Sequence, residues 1–345
     1  MFLTVCLNPT LQKTLRFPSV VPGTVNRTAN HRLDASGKGI NVTRVLTQLG
    51  KDALHLTQLG GDMRPLFLSL CKNDGLSVEW VESNSEIRFC YTVLNESDNI
   101  VTEMVEESEI VAANTEKRLL LKFEALLENN LRNISHRDAG ATEAGRVSQD
   151  TLIISGTKAA GFSDSVFPVM VKKAKDKGMR VILDIRGNDL LECLKYEPDI
   201  VKPNLFEFAS TFTPELIKDN DLMIDATAQL KQRAAKEKIK AAMLETADKY
   251  RCRIILTNGS HNILAANCAR NGAPESFFEV EIQPVKAVNT IGCGDAFTAG
   301  LAATLADCGG WEDSEKFNMA IHEGIRCGAL NAGVERPGVI STSNA

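Results

Sequence analysis

The stretch Asn289-Thr290-Ile291-Gly292-Cys293-Gly294-Asp295-Ala296-Phe297 sets two glycines and a carboxylate at the head of a small, apolar run over residues 296–305. A segment that apolar on all sides belongs in an interior, so it reads as a buried helix with its N-terminus opening inward. Unpaired backbone N–H groups and the positive end of the helix dipole favour phosphate oxygens at such a place. A carboxylate repels phosphate, which makes Asp295 a poor ligand for one. It is a good acceptor for the proton of a hydroxyl that attacks one. The same residues also allow a glycine-rich turn with Asp295 as an ordinary helix-start residue, because short glycine motifs recur by chance.

Working outward, short β-rich runs alternate with helical patterns. Strands are predicted near 2–7, 53–59, 151–155, 180–185 and 253–257, and helices near 39–49, 115–131, 163–177 and 294–307. This alternation predicts an α/β fold, a parallel sheet with helices on both faces. Two segments break the pattern. Residues 12–35 and 86–106 alternate polar and apolar without a helical period, as in Ile87-Arg88-Phe89-Cys90-Tyr91-Thr92-Val93, and predict a small separate sheet that would act as a lid. The polar stretch 132–150 reads as a surface loop, and 225–250 as a long helix whose Lys231, Arg233, Lys236, Lys238 and Lys240 form a solvated face.

The chain has 345 residues, enough for a sizeable core. Its net charge of -5 gives no basic footprint for nucleic acid, and no apolar run is long enough to span a bilayer. Small metabolites are the partners this composition suits. Residues 2–7 lack a basic region before them and read as a first strand rather than a signal peptide, which points to the cytoplasm. Nine cysteines, scattered without a CxxC pair, fit reduced thiols better than disulfides or a zinc site.

Three further stretches carry polar groups at strand or helix ends. In Ala35-Ser36-Gly37-Lys38-Gly39-Ile40-Asn41-Val42, Lys38 stands between two glycines at a helix start, where an anion can approach closely. The stretch is neither a Walker A loop, lacking Ser/Thr after the lysine, nor a Rossmann fingerprint. A capped turn with a solvent-facing lysine is the alternative, while Asn41, a weak helix former in the first turn, favours a side-chain role with hydroxyls. In Lys202-Pro203-Asn204-Leu205-Phe206-Glu207, the spacing of Asn204 and Glu207 suits a capping box or, alternatively, a hydrated magnesium–phosphate cluster. Ser155-Gly156-Thr157 follows an apolar run at what would be the ligand-binding edge of a parallel strand. Cys293 has no histidine beside it and does not read as a thiol nucleophile.

Together these residues resemble the PfkB (ribokinase-like) family of sugar kinases over nearly the whole chain. The family's GGKGxNxA pattern appears as Ser36-Gly37-Lys38-Gly39-Ile40-Asn41-Val42-Thr43, its NxxE motif as Asn204 to Glu207, and its (D/N)TxGAGDxF signature as residues 289–297. Leu7-Asn8-Pro9, Asn26-Arg27, Arg88, Thr102-Glu103, Ser155-Gly156 and Lys202-Pro203-Asn204 look most like the branch of 1-phosphofructokinases and tagatose-6-phosphate kinases. The resemblance implies one ribokinase-like three-layer domain over 1–345, with a mostly parallel central sheet flanked by helices and a β lid from 12–35 and 86–106. It implies that ATP and Mg2+ are used to phosphorylate a phosphorylated ketohexose, and that the lid makes a homodimer contact. Asp295 would be the base, with the backbone of Gly292, Cys293 and Gly294 as anion hole. Gln12, Arg27, Gly37, Lys38, Asn41, Arg88 and Ser155 would bind the sugar phosphate. Lys202, Asn204, Glu207, Thr257, Gly259 and Asn331 would serve the nucleotide, with Asn204 and Glu207 organising the metal through water. The chain departs from the branch at Gln12, where Asp is usual, and at Lys158, which adds a cation near the site. Cys293, Ser36 and the missing glycine after Gly259 depart as well. A kinase of an unphosphorylated sugar or nucleoside, or a catalytically weak sugar-phosphate sensor, are the rival readings.

Overall fold

The computed structural model describes residues 1–137, 150–218, 229–269 and 275–340. Its strands are β1 (Phe2–Leu7), β2 (Thr10–Phe17), β3 (His31–Ser36), β4 (Ala53–Leu59), β5 (Ser77–Glu82), β6 (Arg88–Asn95), β7 (Ile100–Val105), β8 (Thr151–Lys158), β9 (Arg180–Asp184), β10 (Ile200–Val201), β11 (Arg253–Asn258), β12 (His261–Asn267) and β13 (Ser276–Val280). The helices are α1 (Lys38–Gln48), α2 (Arg64–Asn73), α3 (Thr115–Arg137), α4 (Val166–Asp176), α5 (Gly187–Leu194), α6 (Leu205–Phe212), α7 (Pro214–Lys218), α8 (Gln229–Lys249), α9 (Cys293–Cys308) and α10 (Ser314–Ala332).

Nine strands form the main sheet in the order β13-β12-β11-β10-β9-β8-β1-β4-β5. From β11 through β5 every pairing is parallel, and β12 and β13 add antiparallel strands at one edge. Parallel strands covered on both faces read as continuous apolar runs, and Leu152-Ile153-Ile154 shows how the pleat divides such a run. Leu152 and Ile154 join a core with α3, α4, α5 and α8, while Ile153 joins a second core with α1, α9 and α10. The result is three layers, helix on sheet on helix. At α1 the layers touch closely: a Cβ on Gly39 would lie 2.8 Å from the Cys6 Cβ and from the His55 ring, so only glycine lets this helix start settle on β1 and β4.

The two β-rich segments form a second sheet of four strands in the order β3-β2-β6-β7. It is mixed: β2 and β6 run parallel, and the outer pairings are antiparallel. Its base packs through Leu11, Ala35 and Ile87 on Phe67 and Cys71 of α2, while Ile100, Met104 and Val105 on β7 are exposed.

The stretch 132–150 departs from the expected loop. Residues 132–137 continue α3, because the apolar spacing Leu127, Leu131, Ile134 keeps the helical period; 138–149 lie outside the described residues. Of the basic segment 225–250, α8 begins at Gln229, residues 225–228 lie outside the described ones, and Arg233, Lys236 and Lys238 are exposed. All nine cysteines are free thiols. Among the described residues, no helix is long and apolar enough to cross a membrane.

Candidate active site

Three neighbouring strands end in polar residues at one edge of the main sheet. Ser155 of β8 is in register with Asp184 of β9, and Val201 of β10 with Leu183, so Lys202 follows at the level of Asp184. The Lys202 amide, donating to the Leu183 carbonyl at 2.8 Å, holds this row in place. Asp184 is its hub. It accepts from Ser155 Oγ at 3.3 Å and pairs with Lys202 Nζ and Lys38 Nζ, each at 3.2 Å. Burial by itself would raise the Asp184 carboxyl, but Lys202 and Lys38 outweigh it and hold it below the ordinary range. Sequence reasoning passed over Asp184, although the signal that marked Ser155, a polar residue ending an apolar strand, marks Asp184 as well.

The N-terminus of α9 faces this row. Gly292, its N-cap, has φ 84. A side chain there would be strained by that backbone and would meet the Gly338 nitrogen at 2.9 Å. The first bond along this helix is donated by Ala296 to the Gly292 carbonyl at 2.8 Å. The preceding amides of Gly294 and Asp295 therefore have no partner within the helix and point outward from its positive end. Lys202 sits against the same turn: an ideal Cβ on Gly294 would lie 3.8 Å from Lys202 Nζ. Cys293 turns its thiol away, to 3.5 Å from Asn331 Nδ2, and burial pushes that thiol up to about 11, so it stays protonated.

Asp295 is buried beside these amides and accepts from Asn41 Nδ2 at 2.8 Å. Burial pushes its carboxyl up to about 7; Asp184 adds to the rise, while Lys38, Asn41 and Lys202 oppose it. A carboxyl of that strength can hold or release a proton near neutral pH, which is what a general base requires.

Lys38 reaches across the site. Besides Asp184, its ammonium donates to Glu207 Oε1 at 3.3 Å. Burial pulls Lys38 down, yet Asp184, Glu207 and Asp295 outweigh it and keep the ammonium charged well above its ordinary value. Glu207 has two roles at once. Its amide donates to Asn204 Oδ1 at 2.7 Å and its Oε2 accepts from the Asn204 amide at 3.0 Å, completing a capping box on α6. Oε1 remains outside the cap. Thr257 pairs with Asn204 through an isolated parallel bridge, and Gly259 follows in the turn after β11, so both lie on the Asn204 side.

No cluster of three or more metal-ligating side chains occurs among the described residues. The one carboxylate oxygen of Glu207 outside the cap, which meets Lys38, beside an exposed asparagine suits a hydrated Mg2+ carried on phosphates rather than a metal caged by protein.

The other expected residues scatter around this centre. Gly37, with φ 118, caps α1 and accepts the Asn41 amide at 3.0 Å. Gln12 lies buried on the small sheet and donates to Thr92 Oγ1. Arg88 bonds the Glu106 carbonyl at 3.1 Å and is among the charges acting on the Cys6 thiol, which burial pushes up. Since Cys6 lies against Gly37 and Gly156, Arg88 stands at the edge of the site. Arg27 is exposed in the connection from β2 to β3. Asn331 is wholly buried and saturated: it donates to the Ile291 carbonyl at 2.9 Å and accepts from the Gly338 amide at 2.7 Å, locking the loop that opens α9. Lys158 brings no free cation, because Asp164 at 2.8 Å and Asp189 neutralise it.

Solved structures share this architecture. Phosphofructokinase-2 from Escherichia coli, in complex with potassium, superposes with a TM-score of 0.75 at 21% identity, covering 99% of this chain and 95% of that one. A possible 1-phosphofructokinase from Thermotoga maritima gives 0.69 at 18% identity over 94% and 91% of the two chains. Arabidopsis thaliana ribokinase, complexed with ribose and ATP, gives 0.63 at 17% identity over 98% and 94%. At these identities the likeness establishes a ribokinase-like fold. The sequence itself matches the family model for pfkB family carbohydrate kinases over residues 11–339, a span that holds the Gly37–Asn41 helix start, Asn204, Glu207 and Asp295. The chain therefore belongs to the pfkB family of carbohydrate kinases, phosphotransferases whose acceptor is an alcohol group.

Proposed function

We propose that this protein transfers the γ-phosphoryl group of ATP to a hydroxyl of a phosphorylated ketohexose, with fructose 1-phosphate and tagatose 6-phosphate the preferred acceptors. The observation that carries the reading is the buried Asp295, raised to about 7 and set at the open N-terminus of α9. Above that value Asp295 accepts the proton of the acceptor hydroxyl. The hydroxyl oxygen bonds to the γ-phosphorus as the bond to the β,γ-bridging oxygen breaks, and ADP carries away the electron pair. The Gly294 and Asp295 amides with Lys202 face the charge that develops on the transferred group. Asn204, Glu207 and Thr257 hold the nucleotide side, where Asn204 and Glu207 would hold a hydrated Mg2+ whose chemistry would be to neutralise charge on the phosphates.

Three cations support a phosphorylated acceptor: Lys38 in the site, Arg88 at its edge and Arg27 in the exposed connection from β2 to β3. The small sheet acts as the lid, and Gln12 on it meets the sugar hydroxyls. Its exposed Ile100, Met104 and Val105 make a homodimer contact.

ADP formation tests the reading across free and phosphorylated fructose, tagatose and ribose. Fructose 6-phosphate belongs in the panel because one solved neighbour, Escherichia coli phosphofructokinase-2, is in complex with it. One productive cation predicts about a ten- to hundredfold preference for the phosphorylated acceptor, the scale of a charge-assisted hydrogen bond. Equal rates on free and phosphorylated sugars would move the protein to the unphosphorylated-sugar class, and no ADP with any acceptor would leave a sensor.

A further inference from the structure

Asn41 meets the catalytic carboxylate, but the amide does not choose its own orientation. Arg44, one turn further along α1, donates from Nη1 to Asn41 Oδ1 at 2.9 Å. Ser36 Oγ donates to the same oxygen at 3.3 Å. Arginine only donates and an ionised carboxylate only accepts, so a carboxamide between them satisfies both in one orientation alone, with oxygen toward Arg44 and NH2 toward Asp295.

Arg44 is itself held without slack. Nη1 also donates to the Pro337 carbonyl at 3.1 Å, Nη2 donates to the Ala35 carbonyl at 2.6 Å, and both Nε and Nη2 lie 3.1 Å from Asp74 Oδ2. These contacts engage all three nitrogens of the guanidinium, and the side chain is buried. Asp74 also pairs with Arg336 Nη2 at 2.5 Å, and Arg336 Nε with Asp34 of the small sheet at 2.9 Å. The fork is thus anchored to α2, to the start of α1, and to the segment after α10.

We infer that Arg44 is a positioning residue for phosphoryl transfer: by fixing the Asn41 amide it commits one oxygen of Asp295 to that hydrogen bond and leaves the other to the acceptor hydroxyl. The inference rests on Asp295 being the base. Without Arg44 the amide is free to turn its oxygen toward Asp295, which disfavours the charged carboxylate. The remaining charges and thiols around Asp295 are Lys38 of α1, Asp184 of β9, Lys202 after β10, Cys6 of β1 and Cys293 of α9. None of these is touched by a change at Arg44.

The test is the pH dependence of kcat for the full-length protein with Arg44→Met, with Asn41→Ala, and with both changes. In the wild type the acid limb is expected near pH 7. Arg44→Met is expected to move that limb upward by about one pH unit and to lower kcat about tenfold, with the KM for ATP unchanged. In the Asn41→Ala background the same change is expected to do neither. A lowered melting temperature with an unmoved acid limb, or a full effect that persists without Asn41, overturns the inference. If Arg44→Met does not fold, Arg44→Lys keeps a cation on Asp74 but lacks the fork, and the same limb shift is then required of it. A wild type that forms no ADP, or has no acid limb, instead overturns the base assignment itself.

Discussion

Two ion clusters flank Asn41, one built on lysine and the other on arginine. In the first, Lys38 and Lys202 stand 3.2–3.3 Å from Asp184 and Glu207 at the open edge of the sheet. In the second, Arg44 and Arg336 lie 2.5–3.1 Å from Asp34 and Asp74, behind α1. A lysine ammonium is a point charge on a flexible stem, so it can exchange a carboxylate for an incoming phosphate; an arginine fork tied at every nitrogen, as Arg44 is, cannot. The contrast separates the groups proposed to meet ligand from those that hold the frame. Asn41 is the joint, with one end of its amide in each cluster.

The largest effect should come from the residue the lysine cluster surrounds. Asp295→Asn is expected to lower kcat by roughly 10²–10⁴, the scale of losing a general base, in ADP-release assays. The same change should raise thermal stability. A carboxyl at about 7 in the fold but near 3.8 when unfolded binds its proton more tightly in the native state, so its contribution is lost as pH rises through that window. Melting curves should accordingly show a gain for the variant that is greater at pH 8 than at pH 4.

Asp74→Leu probes the arginine cluster by leaving two guanidinium groups without their shared carboxylate. Chemical denaturation should show a loss of about 3–5 kcal/mol. A loss under about 1 kcal/mol would mean the frame is not where the contrast places it. Lys38→Met should do the reverse, leaving unfolding nearly unchanged while weakening the KM for the sugar phosphate or ATP by about ten- to a hundredfold. Thermal shift with added ATP gives the same comparison, since stabilisation by ligand should shrink in Lys38→Met and persist in Asp74→Leu wherever the latter folds. Lys158→Ala should have the smallest effect, with kcat/KM changed by less than about threefold, because its charge is already matched by Asp164 and Asp189.

Much of this site is visible in one dimension because its parts are local. The Gly292–Asp295 turn, the Gly37–Asn41 helix start and the Asn204–Glu207 box each lie within one helical turn, and the small sheet shows in the period of residues 86–106. At Glu207 the capping box is formed through Oε2, and Oε1, which faces Lys38, stays outside the cap, so the cap does not use up the carboxylate that the proposed ligand role needs. Asn331 stands out only through the family resemblance, and its engagement by the Ile291 carbonyl and the Gly338 amide has no local trace. Arg44, Asp74 and Arg336 gave no signal, because isolated charged residues in a sequence look like solvated surface.

The sequence by itself determined the alternation of strands and helices, the buried helix that Asp295 opens, and the polar ends of the strands around it. These follow from periodicity and from which residues tolerate a tight turn, and both are properties of neighbours in the chain. The tertiary structure alone decided that Asp184 is the hub of the lysine cluster and that Asn41 presents its NH2 to a carboxylate 254 residues away. It also decided that an arginine sets that orientation. The physical reason is that charges and hydrogen bonds act over a few ångströms of space, and only folding brings such distant residues that close.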